Sequence, residues 1–212
     1  MLLVRYALIY CLISLNCDNK PMTEIYKQDE TFERVDFSIH PLQKGEYEHC
    51  VFHNCNFANH NLSAFAFMDC VFNACNLSLV KILHTAFRDV QFKDCKMLGL
   101  RFDECHDFGL SFSFDNCQLH HSSFYKIKIK KTIFKNSQLQ GCDFAEADLS
   151  NAVFDNCNLE QAVFDRTILE KADFRTSYNY SISPETNRIK KAKFSLSGVS
   201  GLLDKYDILI ER

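Results

Sequence analysis

At 212 residues and 47% hydrophobic content, the chain is long enough for one large domain with a core of its own. A formal net charge of −3 gives no ground for a general nucleic-acid binder, and six Gly with three Pro exclude a collagen-like or linker-like chain. Trp is absent while Phe occurs 20 times, so the core calls for one flat apolar shape, repeated, without a polar tip.

Residues 1–21 carry one Arg and then an apolar run from Tyr6 to Leu15, which has the look of a secretory signal but is too short to span a bilayer. Its cleavage chemistry is poor, since Asn16 stands where a lipoprotein signal needs a small residue before Cys17. Met22 is therefore the expected start, with 1–21 a translated leader; the alternative is an exported or lipid-anchored form. Residues 22–31 read as an N-terminal cap.

From Phe32 a large apolar residue recurs every five positions to Phe102, and in a second register from Phe114 to Phe174. A period of five matches neither the 3.6 of a helix nor the 2 of a strand. Every fourth centre repeats in kind: Phe114, Phe134, Phe154 and Phe174 in one series, Leu119, Leu139 and Leu159 in the next, and Phe32, Phe52, Phe72 and Phe92 in the first register. A four-sided coil of 20 residues would stack these columns, at about 4.8 Å per coil.

The triplets Ala147-Asp148-Leu149, Cys157-Asn158-Leu159 and Ala172-Asp173-Phe174 resemble the A-(D/N)-L-x-x consensus of the pentapeptide-repeat family. That resemblance covers Phe32 to Phe174. It implies an all-β fold, a right-handed quadrilateral parallel β-helix in which each centre and the residue two before it point inward. Cys50, Cys55, Cys70, Cys75, Cys95, Cys117, Cys142 and Cys157 all stand two before a centre. They read as compact hydrophobes of the interior, and so many thiols favour a reducing, cytoplasmic compartment.

Between the registers, residues 103–113 hold two residues too many, and Gly109 is the expected site of an unusual backbone angle. A corner bulge or a small partner-contacting projection would absorb them. Residues 175–212 read as an irregular last coil, a short helix from Ser197 to Tyr206 and a strand from Asp207 to Glu211. Leu202, Leu203, Tyr206, Ile208 and Ile210 offer more apolar surface than one cap needs, which points to a homodimer through the C-termini.

No constellation for catalysis, cofactor or metal emerges. Cys50 and Cys55 point inward while His49 and His53 face out, which breaks up an apparent zinc cluster. His60 falls on an inward position as a buried, hydrogen-bonded histidine, and adjacent Cys105-His106-Asp107 make a poor nucleophile set. Enzyme activity is not expected.

Charge is segregated along the chain. Residues 32–102 are neutral; Lys126, Lys128, Lys130, Lys131 and Lys135 form a basic band; Asp143, Glu146, Asp148, Asp155, Glu160, Asp165, Glu170 and Asp173 follow as an acidic stretch. The expected function is a non-catalytic protein-binding scaffold using that acidic surface, without direct nucleic-acid binding. The family resemblance supplies an alternative: Qnr-type members protect DNA gyrase from quinolones, so the acidic surface would imitate DNA toward a type II topoisomerase.

Overall fold

The computed structural model describes residues 25–211, so the reading of 1–21 lies outside the described residues. Among the described residues eleven short strands all pair in parallel. One sheet runs β1 (Ile25–Gln28), β3 (Gly45–Glu48), β5 (Ala66–Met68) and β7 (Ala86–Arg88). The other runs β2 (Thr31–Glu33), β4 (Val51–His53), β6 (Val71–Asn73), β8 (Val90–Lys93), β9 (Phe112–Asp115), β10 (Ile133–Lys135) and β11 (Val153–Asp155). These are the fourth and first sides of a four-sided solenoid; isolated bridges such as Asn56↔Asn76 and Asn61↔Lys81 stitch the second and third sides. No described helix is long and apolar enough to cross a membrane.

The pentapeptide explains itself physically. Its centre points inward, and the residue two further on turns the corner in the left-handed region: Asn54, Asn59, Ala64 and Asp69 have φ of 54°, 59°, 59° and 51°. That conformation costs an ordinary L-residue about 1–2 kcal/mol, less for Asn and Asp, which accounts for their frequency there. The Asp or Asn just before a centre works on the same turn. Its side chain accepts the backbone N–H two residues on, as in Ala145 N to Asp143 (2.9 Å), Ser150 N to Asp148 (3.1 Å) and Glu160 N to Asn158 (3.2 Å).

The core is a set of ring columns. Phe134 stacks on Phe154 with centroids 4.9 Å apart and planes 6° from parallel, and Phe154 on Phe174 at 4.6 Å and 10°. Columns of adjoining sides meet edge to face, as Phe144 and Phe154 do at 88°. Aromatic pairs of both geometries add about 0.5–1.5 kcal/mol each beyond area burial.

The partner offset is 20 residues up to Phe72↔Phe92 and 22 at Phe92↔Phe114. His106 N still bonds Thr85 O, whereas Phe112 already pairs with Val90, so residues 107–110 absorb the extra length on the fourth side. Gly109 has φ 72°, and Phe108 projects with 73% exposure under the Arg88 guanidinium (5.8 Å to the ring centroid). Phe112 turns inward against Phe102 (5.1 Å between centroids) and fills the space of the lost fourth-side centre.

Two ends differ from the sequence expectation. The coil begins earlier than Phe32, because Lys27 occupies a centre position in register with Tyr47; a search for apolar centres passes over it. At the other end the helix expected from Ser197 is a pair of 3-10 segments, Leu196–Leu202 and Asp204–Tyr206. Gly198 and Gly201 lie three apart and both abut Tyr180, a spacing that a three-residue turn puts on one edge. Asp207–Glu211 forms no strand, since no described neighbour offers it an edge.

Candidate functional site

Consecutive pentapeptides occupy different sides, so the serial acidic stretch is dealt out around the solenoid. Asp155 and Asp173 lie on the first side, Glu160 on the second, Asp143 and Asp165 on the third, Asp148 and Glu170 on the fourth, and Glu146 at the corner between third and fourth. The expected single acidic surface is therefore not assembled.

Most of these carboxylates are also engaged. Asp143, Asp148 and Asp173 accept the N–H two residues on and so build corners. Lys130 reaches Asp148 (3.2 Å), Lys126 and Arg166 reach Glu146 (3.4 and 3.0 Å), Arg166 also Asp165 (3.1 Å), and Arg188 Glu170 (2.7 Å). Asp155 accepts from Thr176 Oγ1 at 2.9 Å. The hydrogen bond and charge of Arg175 hold the Asp173 carboxyl down at about 2, with Lys193 helping. Burial pushes Asp148 up, but hydrogen bonds from Ser150 and Lys130 outweigh it and hold the group below its ordinary value.

The sides differ sharply in what they show to solvent. The second side is mostly amide, a column of Asn56, Asn76, Lys96, Gln118, Gln138 and Asn158 in bridge register, with Lys96 its one cation and Asp36 at its lower end. The upper fourth side is cationic, a feature that the linear charge pattern concealed. Sorting charges by position within each 20-residue coil, with the two-residue slip allowed for, would have revealed it.

The interior cysteines do more than fill volume. All the inward thiols but that of Cys157, which turns to Asp155 O of its own coil, aim at a main-chain carbonyl of the coil below: Cys55 at Phe32 O (3.4 Å), Cys75 at Phe52 O (3.3 Å), Cys95 at Phe72 O (3.4 Å) and Cys142 at Leu119 O (3.0 Å). Thr85, Thr167 and Ser177 make the same bond from the same repeat position, so the inward small residue is an inter-coil donor. Burial pushes the Cys70 and Cys157 thiols up to about 12, which leaves them protonated and poor nucleophiles.

The other singled-out residues stay apart. His49 sits at a corner between Asp29 and Asp69, 3.7 Å from each carboxylate. His60 is half-buried, and its Nε2 has no hydrogen-bond partner among the described residues, contrary to the bonded histidine expected. Burial raises the Cys105 thiol, while His106 Nδ1 accepts from Phe108 N (3.3 Å). Among the described residues no group of His, Cys, Asp or Glu is arranged to hold a metal ion.

The C-terminal end is apolar. Leu202 packs on the core as a cap and Leu203 is half-buried, whereas Tyr206, Ile208 and Ile210 are exposed, with Leu196 at 92% and Leu209 at 95%. Beside this end a polar cavity of about 430 Å³ opens between the last coil and the 3-10 segment, lined by Tyr178, Tyr180, Ser200 and Asp204 among others.

The profile of the pentapeptide repeat region matches residues 46–113 and 111–179. Among solved structures, a trypsin-treated variant of QnrB1, a plasmid-mediated fluoroquinolone resistance protein, is similar with a TM-score of 0.57 and 18% identity, covering 92% of this chain and 96% of that one. Full-length QnrB1 gives 0.52 and 15%, covering 87% and 100%. HetL, a pentapeptide repeat protein involved in heterocyst differentiation regulation from the cyanobacterium Nostoc, gives 0.35 and 11%, covering 82% and 86%. No curated protein matches the chain. With its coils, inward columns and matched repeats accounted for, the chain belongs to the pentapeptide-repeat family.

Proposed function

We propose that the protein is a non-catalytic, protein-binding scaffold that works as a homodimer joined through its C-terminal ends. One observation carries this reading: beyond the last coil the described chain exposes a set of large apolar side chains, Leu196, Ile208, Leu209 and Ile210. Exposed apolar surface of this kind marks an interaction site, and a two-fold pairing of identical ends closes without leaving a further sticky edge. The strand expected at Asp207–Glu211 fits this picture, because a second copy would supply the missing edge. The thiol-lined interior, which benefits from reducing conditions, supports a cytoplasmic location.

The scaffold reading is tested by capture from the native host with the tagged full chain, followed by reconstitution from purified components. A stoichiometric protein partner that rebinds in purified form is expected. Turnover by the purified chain of any substrate class in a broad hydrolase and transferase screen would overturn the non-catalytic part.

A second reading, protection of a type II topoisomerase from quinolones, draws on the near full-length likeness to QnrB1. The dispersal of the carboxylates over four sides speaks against extensive DNA mimicry. A gyrase supercoiling assay with ciprofloxacin decides: neither rescue nor inhibition at micromolar protein would remove this reading.

A further inference from the structure

Net charge conceals a cationic face. On the fourth side, coils bridged in register through Lys128↔Asp148, Asp148↔Ile168 and Ile168↔Arg188 present Lys128, Lys130 and Lys131 at one end. Lys171 lies two coils on, and Arg188, Lys190 and Lys191 one coil beyond it. All seven are exposed. The only carboxylates on this stretch are Asp148 and Glu170, and both lie low. Asp148 is 13% exposed beneath Lys130 at 58%, and Glu170 34% beneath Arg188 at 67%. An approaching partner therefore meets cations first. No ion pair among the described residues holds Lys128, Lys131, Lys171, Lys190 or Lys191.

We propose that this upper fourth side is a docking face for the sugar-phosphate backbone of a nucleic-acid duplex, engaged without reading sequence. The two cation groups stand three coil steps apart, about 14 Å at strand spacing. That is enough to engage several successive phosphates or to bracket a groove.

The composition of the face selects this occupant among polyanions. Between Lys128 and Lys191 it shows no exposed aromatic ring, and Phe108, below Lys128 on the same side, lies under the Arg88 guanidinium and makes no platform for successive unpaired bases, which disfavours single strands. It has no apolar anchor of the kind that seats basic surfaces in a membrane interface. Its one apolar outward residue, Ile168, is half-buried, so it lacks the desolvated centre of a protein interface. Polar, wet and strongly positive surfaces are what duplex interfaces use. Lys rather than Arg dominates, which suits point-charge contact with phosphate over bidentate base recognition.

The test is fluorescence anisotropy of the full chain with a labelled mixed-sequence duplex across a salt series. Five unpaired lysines give a log–log salt slope of about −4.5, so the apparent Kd rises about 500-fold between 50 and 200 mM salt. The variant Lys131→Asn, Lys171→Asn, Lys191→Asn keeps the fold, because these corner positions have φ of 63°, 60° and 59°, which Asn tolerates. Its slope falls to about −1.8, with affinity at 100 mM salt reduced at least about tenfold. The variant Lys93→Gln, Lys135→Gln, Lys193→Gln removes the same charge from the first side and is expected to bind nearly as the parent does. The proposal is overturned by no binding of the parent at 50 mM salt, or by equal weakening of both variants. Displacement of the duplex by poly-L-glutamate as effectively as by unlabelled duplex would also overturn it, and would point to an acidic protein.

Discussion

The seating of the C-terminal cap turns on two glycines against one tyrosine. A Cβ at Gly201 would lie 2.1 Å from the main-chain oxygen of Tyr180, and one at Gly198 would lie 2.1 Å from its hydroxyl oxygen. The first obstacle is backbone and has nowhere to go; the second is the tip of a side chain. Gly201→Ala therefore lifts the 3-10 segment, breaks the 2.9 Å bond from Ile182 N to Gly201 O and uncovers Tyr180, now 4% exposed. The lost bond costs about 1 kcal/mol and the re-exposed ring about 2, so about 3 kcal/mol of local stability is at stake. Because a solenoid is stabilised by nearest neighbours, the loss should stay in the last coil. Hydrogen exchange read by mass spectrometry is expected to show lost protection over 178–206 with the Phe134 and Phe154 coils unchanged. Gly198→Ala should be milder and rescued by Tyr180→Phe, because that hydroxyl is buried without a partner. Equal protection in Gly201→Ala and the parent would refute the reasoning.

Cys75→Ser should keep the inter-coil bond to Phe52 O and cost less than about 1 kcal/mol in urea unfolding, whereas Cys75→Leu overpacks the column and costs about 1–3 kcal/mol. Phe154→Ala opens a stack between Phe134 and Phe174 and should cost about 3–5 kcal/mol, while Phe108→Ala on the projection leaves the melting temperature unchanged. The Asp173 carboxyl is depressed in the folded state to about 2, below its unfolded value, so its contribution is present above the unfolded pKa of about 4 and is lost as pH falls toward 2. The stability gap between the parent and Asp173→Asn should therefore be flat above pH 5 and shrink steadily below pH 4. A gap independent of pH would mean that Arg175 and Lys193 do not act through its charge.

The five-residue period made the core legible because every centre does the same job, and stacking amplifies the pattern over the coils. What the linear sequence hid was anything that depends on which side a residue occupies. Asp143, Asp148 and Asp173 looked like one surface because they are close in the chain, yet successive pentapeptides diverge by a corner, and these three aspartates are engaged in turning it. The cations of the fourth side were half legible for the converse reason: Lys128, Lys130 and Lys131 stood out as part of a band, but Lys171 and Lys191 are far from them in sequence and share the corner column of Lys131. The inward cysteines were placed correctly and their chemistry only half read, because a hydrogen bond to the coil below needs the coil in place. Lys27 was passed over as a centre because its side chain is charged, although its backbone pairs in register with Tyr47.

The claim on which the account rests is that the apolar C-terminal end joins two copies. Size-exclusion chromatography with light scattering on the full chain and on Leu209→Glu measures it directly. Leu209 is 95% exposed, so the change leaves the fold of the single chain intact. The account predicts twice the 24.6 kDa chain mass for the parent and a single-chain mass for the variant at the same concentration. A single-chain mass for the parent at 100 µM would contradict it.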